Sequence, residues 1–159
     1  MKIVAELELP ELSVWYHIVG AFEGGSNYWL DYVEVPNKVH EKLKKAKFAG
    51  YVDENGERRK TDEWYPEVND TDDLSELREK KLYVYTSQLP FLGGEVILKE
   101  KEPYNHNPKP LNEETVKKGL ELMAKETPRH FDDLYSETGD STTSDVFLQL
   151  CVFGKVIYG

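Results

Sequence analysis

The stretch SDVFLQLCVF, residues 144–153, constrains the fold more than any other part of the chain. Wound as a helix, it is apolar around most of its circumference through Val146, Phe147, Leu150, Cys151 and Phe153. Such a helix has no side to give to water and must be wrapped by other elements. Ser144 or Thr143 is the expected cap, Gly154 the expected stop, and KVIYG a short closing strand. Gln149 is polar on this apolar helix, so it either satisfies a backbone group in the core or lines an interface or pocket. Cys151 shares the apolar face and reads as a buried, inert thiol. As the only cysteine it forms no internal disulfide, which fits a reducing compartment.

The wrapping elements follow from periodicity. Ile3, Ala5, Leu7 and Leu9 recur at every second position and predict a half-buried strand ended by Pro10. Val14, Ile18 and Phe22, widened by Trp15 and Val19, predict an amphipathic helix from Glu11 to Phe22. SNYWLDYVEV then reads as a strand closed by Pro36. Val39 and Leu43 anchor a short helix, and DENG at 53–56 signals a hairpin. KLYVYTSQL and GGEVILKEK read as two strands around a turn at Pro90–Gly94, and YNHNPKP as a loop. Asn112 is the expected cap of a helix carrying Val116, Leu120 and Met123, with Pro128 beyond its end. The expected class is α+β: one domain over residues 1–159, with three or four helices against a mainly antiparallel sheet.

Charge narrows the partners. Thirty acidic against twenty basic residues give a net charge of −10, which argues against general nucleic-acid binding. No apolar run approaches the ~20 residues of a membrane span, and MKIVAELELP lacks a signal-peptide core, so a soluble cytoplasmic protein is expected. Lysines and arginines cluster between 38 and 60, and acids between 62 and 79, where DDLSE fits a capped helix start. A negative surface that imitates DNA is the functional reading of the acidic run; a solvated face is the plainer one.

The Gly24–Gly25 pair could suggest a phosphate cradle. Such a site needs glycines after a strand and before a helix, whereas here a helix comes first and the dipole has the wrong sign. Gly24 is read instead as a left-handed helix stop, with Gly25 letting the chain turn. Tyr28 and Trp29 could stack a base, but strand alternation would send them to opposite faces. His17, His40 and His106 are scattered, and His130 near Asp132 and Asp133 is at most a loose cluster. No metal spacing, serine triad or nucleophile elbow is present, so neither metal nor cofactor is expected and catalysis is not the leading reading.

Two blocks carry a resemblance. EGGSNYW at 23–29 and SDVFLQLCVFGKVIYG at 144–159 are similar to blocks in a widespread family of small, uncharacterised bacteriophage and prophage proteins. Glu23, Gly24, Gly25, Asn27, Tyr28 and Trp29 match the first block. Asp145, Val146, Phe147, Leu148, Gln149, Phe153, Gly154, Tyr158 and Gly159 match the second, while Lys155 stands where the family pattern has an acid. The resemblance implies a phage-encoded protein in the cytoplasm of an infected bacterial host. It also suggests a division into shared ends, 1–36 and 111–159, and a specific charged middle, 37–110.

The function expected on these grounds is non-enzymatic: binding that inhibits or sequesters a host or defence-system component, either a protein or a signalling nucleotide. Candidate contacts are Asn27, Tyr28, Trp29, Lys42, Lys45, Arg58 and Arg59. The rivals are an acidic DNA mimic acting against restriction or another nuclease, a small hydrolase using His130, and a minor virion assembly protein. Homo-oligomerisation stays open.

Overall fold

The computed structural model describes residues 1–45 and 73–159, with the backbone alone of 51–52 and 58–59. The architecture is α+β. Its centre is α6, Ser141–Phe153, along which every residue from Thr143 to Val152 is buried. Around it pack α1 (Glu11–Gly20), α4 (Glu113–Glu126) and α5 (Pro128–Tyr135). Phe147 and Leu148 are fully enclosed, and each such side chain stabilises the fold by about 1.5–3 kcal/mol through burial. The cap of α6 is Asp140, whose Oδ1 accepts from Thr142 N and Thr143 N at 3.0 Å each. It stands one turn earlier than the expected Ser144 or Thr143, both of which are buried inside the helix. Gly154 ends α6 in the left-handed conformation, φ 71°, as expected.

Helices α4 and α6 touch at Gly119. A Cβ there would lie 2.3 Å from Cys151 Sγ and 3.0 Å from its backbone N. Gly119→Ala should therefore push the two helices apart and, net of the better helix propensity of alanine, cost about 2 kcal/mol in urea unfolding. Burial pushes the Cys151 thiol well above the ordinary thiol range, so this close contact is made by a neutral, unreactive sulfur.

The sheets are small. β1 (Leu30–Glu34) pairs antiparallel with β6 (Ile97–Glu100), from Leu30 opposite Glu100 to Glu34 opposite Ile97, with a bulge between Leu30 and Tyr32. The short α2 (Asn37–His40) leads to β2 (Lys44–Lys45), which runs parallel to β5 (Leu82–Tyr83). β3 (Tyr51–Val52) pairs antiparallel with β4 (Arg58–Arg59), as a hairpin requires; the DENG turn between them lies outside the described residues. α3 (Leu74–Lys80) is capped by Asp73, whose carboxylate accepts from Ser75 N and Glu76 N. That is the capped start read in DDLSE; the acids at 62–72 lie outside the described residues. Asn112 Oδ1 caps α4 by accepting from Thr115 N, and Asn112 N donates in return to the Thr115 hydroxyl oxygen.

Three expected strands, 1–9, most of 81–89 and the closing KVIYG, are not formed among the described residues. Residues 1–8 are exposed, Ile3 by 82% and Val4 by 99%, and pair with no described strand, while Leu9 packs against the core. Residues 81–89 form only the two-residue β5 before a 3₁₀ helix, Thr86–Phe91. The fully buried Gln88 causes this turn by accepting from both Val84 N and Tyr85 N, which takes those amides out of any ladder. Consequently 97–100 finds its partner in β1 instead of in 81–89. Trp15 Nε1 donates to Ser87 Oγ at 2.9 Å and fastens α1 to the same 3₁₀ helix.

Candidate functional site

The two blocks that carry the resemblance meet in one hydrogen-bonded network. α1 does not stop at a left-handed Gly24; it continues through a π-helical turn, Ala21–Gly25, and Gly24 does not have positive φ. Residues 26–29 then form a turn that precedes β1, so strand alternation does not apply to them. Tyr28 and Trp29 consequently reach the same carboxylate. Asp145, buried on the inner face of α6, accepts on Oδ1 from Ser26 Oγ at 2.7 Å and Trp29 Nε1 at 2.8 Å. On Oδ2 it accepts from Tyr28 Oη at 2.7 Å and Gln149 Nε2 at 2.9 Å. Four donors satisfy a carboxylate that burial would otherwise penalise heavily.

Gln149 carries the network into the last segment. Its Oε1 accepts from Ile157 N and Tyr158 N, both at 2.8 Å, and its Nε2 also donates to the Tyr158 carbonyl at 3.1 Å. Two amide donors on one side and two acceptors on the other fix which end of the side-chain amide is oxygen. The segment KVIYG, expected as a strand, is held by this side chain and not by a ladder.

Tyr158 connects to a second acid. Its hydroxyl donates to Glu100 Oε1 at 2.5 Å. His106 Nδ1 lies 2.8 Å from the same oxygen and 2.7 Å from Tyr158 Oη, and His106 N donates to Glu100 Oε2 at 2.7 Å. Since Tyr158 spends its proton on Glu100, His106 must carry a proton on Nδ1 to approach both oxygens. Burial raises the Glu100 pKa, but the hydrogen bonds from Tyr158 and His106 outweigh it and hold the carboxyl below its usual range. Burial first, then bonding to Asp145 and Glu100, keep Tyr28 and Tyr158 far above the ordinary tyrosine range. Both therefore stay protonated donors, and neither is a phenolate nucleophile at neutral pH.

What reaches the surface is aromatic. Tyr28 is 46% and Tyr104 44% exposed, and both pack edge-on against the Tyr158 ring at 6.2 and 4.9 Å. His106 stands beside them, 5.3 Å from Tyr158. Asn27 is exposed next to Tyr28. Trp29 is different: it is fully buried, stacked on Tyr158 at 5.4 Å and 12°, and its ring offers no face to a ligand. Lys42 and Lys45 are exposed, and no contact among the described residues joins them to Tyr28 or Trp29. Lys42 instead borders a small cleft with Lys38, whose ammonium is 2.5 Å from Glu95. The Arg58 and Arg59 backbones lie in β4. His130 pairs with Thr143 Oγ1 at 3.3 Å.

Asp145 and Glu100 are the residues sequence reasoning passed over. The available signal was spacing: Asp145 and Gln149 stand four apart on an otherwise apolar helix, and so on one face. Among the described residues, no group of three or more His, Cys, Asp or Glu side chains is placed to hold a metal ion, and no helix is long and apolar enough to cross a membrane. The fold and site together define a small α+β protein in which residues 26–29 and the last helix and segment interlock around a buried acid and display tyrosines outside. Comparison with protein-family models, curated proteins and solved structures returns no match.

Proposed function

We propose that the protein acts by binding, as a phage-encoded accessory protein that docks on a host or defence-system protein and inhibits it. The observation that carries this reading is the surface formed by Asn27, Tyr28, Tyr104 and His106 over the Asp145 and Glu100 networks. Tyrosine gives large contact area with few rotors, and residues of this kind dominate binding energy when their orientation is fixed beforehand. Here hydrogen bonding to buried acids fixes Tyr28 and His106, and packing on Tyr158 supports Tyr104. The nucleotide version of the expectation is less well supported, because Trp29 is enclosed and no contact among the described residues joins Lys42 or Lys45 to Tyr28.

The test is native mass spectrometry of tagged protein recovered gently from infected bacterial cells. A stoichiometric host protein is expected, with at least tenfold weaker binding in Asn27→Ala combined with Tyr104→Ala and a melting temperature changed by only a few degrees. Undiminished binding in that variant would remove the surface from consideration. A small-mass adduct released on denaturation would turn the reading toward sequestration of a nucleotide.

A further inference from the structure

The tyrosine surface lies over two buried acids, and no lysine or arginine among the described residues is paired with either. Asp145 is bonded by Ser26, Tyr28, Trp29 and Gln149, all of them neutral donors. Glu100, its side chain only 4% exposed, is bonded by Tyr158 and His106. The surrounding sequence leans the same way. Segments 26–34, 97–106 and 154–159, together with Asp145, hold five acids against three lysines. Lys99 and Glu34 take each other up at 3.5 Å, which leaves four acids against Lys101 and Lys155.

The hydroxyl protons are arranged to similar effect. Tyr28 and Tyr158 donate theirs inward, to Asp145 and Glu100, so neither phenol is a donor to anything outside. The Tyr104 hydroxyl has no hydrogen-bond partner among the described residues. It stands near enough to the other two phenols to oppose the ionisation of both. The surface thus presents exposed tyrosine rings and a free phenol oxygen over negative charge. A phosphate or carboxylate is repelled there. A cation is attracted by the acids and by the rings together.

We propose that the partner docks on this surface through an arginine on an exposed basic segment, its guanidinium lying against the Tyr28 and Tyr104 rings. This rests on the docking reading above and names the chemistry that the surface selects. Arginine fits better than lysine, because its planar and weakly hydrated group packs on an aromatic ring while its N–H groups still find acceptors. Arginine is also among the residues that dominate binding energy at protein interfaces.

The probe is the peptide Ac-GSRGRSG-amide, titrated into the full chain at low ionic strength and followed by proton–nitrogen NMR. Its controls carry citrulline, which keeps the shape and loses the charge, or glutamate in place of arginine. Saturable shifts confined to Asn27, Tyr28, Tyr104, His106 and the Trp29 indole are expected with the arginine peptide. The citrulline peptide should bind at least about threefold more weakly, and the glutamate peptide not at all. Tyr104→Leu keeps an apolar side chain at a half-exposed position but removes the ring, and should weaken binding about two- to fivefold. Raising sodium chloride from about 20 to about 200 mM should weaken it severalfold through screening. Equal binding of the citrulline peptide would overturn the proposal and leave docking by neutral contacts standing. Shifts scattered over the chain, or binding unchanged in Tyr104→Leu, would also overturn it, as diffuse attraction to a net charge of −10. Failure of the docking reading shows separately, as a native mass spectrum from infected cells with no host protein attached, and removes this proposal with it.

Discussion

Asp145→Ala is expected to cost about 4 kcal/mol of folding stability, a large fraction of what a domain of this size possesses. The substitution removes one side chain but strands four donors: the Ser26 and Tyr28 hydroxyls, the Trp29 indole N–H and the Gln149 amide. Ser26, Trp29 and Gln149 are fully buried, so water does not readily replace the lost acceptor. Asp145→Asn separates charge and hydrogen bonding from shape. One oxygen becomes an NH₂ group that must face two donors, so the loss should remain above about 2 kcal/mol. Urea unfolding followed by tryptophan fluorescence measures both. A cost below about 1 kcal/mol for Asp145→Ala would show that the network decorates the fold without holding it.

The second large effect distinguishes two adjacent glycines. In Gly25→Ala the new Cβ would sit 2.5 Å from the Ser141 carbonyl oxygen and 3.3 Å from that of Gly20, both backbone atoms that cannot rotate away. The start of α6 would have to move off the π-helical turn, at a cost of about 3 kcal/mol. Gly24→Ala meets nothing within 4 Å and needs no positive φ, so it should be neutral or stabilising by up to about 1 kcal/mol. Thermal melts of the two variants side by side decide the matter. Equal effects would mean that the pair serves chain flexibility and not close approach.

These residues also show how far the sequence could be read. The largely apolar SDVFLQLCVF had to be a central helix, and the capped start at DDLSE, the cap at Asn112 and the stop at Gly154 were visible because local chemistry determines them. The fate of Gly24 and Gly25 was not visible, since one answers to solvent and the other to a carbonyl more than a hundred positions away. Likewise, KLYVYTSQL has strand composition, but a buried glutamine four residues beyond Val84 takes its amides. The alternation in residues 3–9 was real, yet a strand also needs an edge to pair with. Tyr28 and Trp29 were both candidate contacts but were expected on opposite faces; the acid that unites them was missed, because the partner of a buried polar group is a tertiary fact.

The indole of Trp29 finds its acceptor 116 positions further along the chain and is covered by the Tyr158 ring beyond that. Until residues 145–158 have been made, a growing chain therefore has only a half-made pocket and no buried acceptor for that indole. Contacts of such separation form late and slowly. A growing chain of this kind stays open to chaperones and proteases until α6 and the segment clasped by Gln149 arrive together.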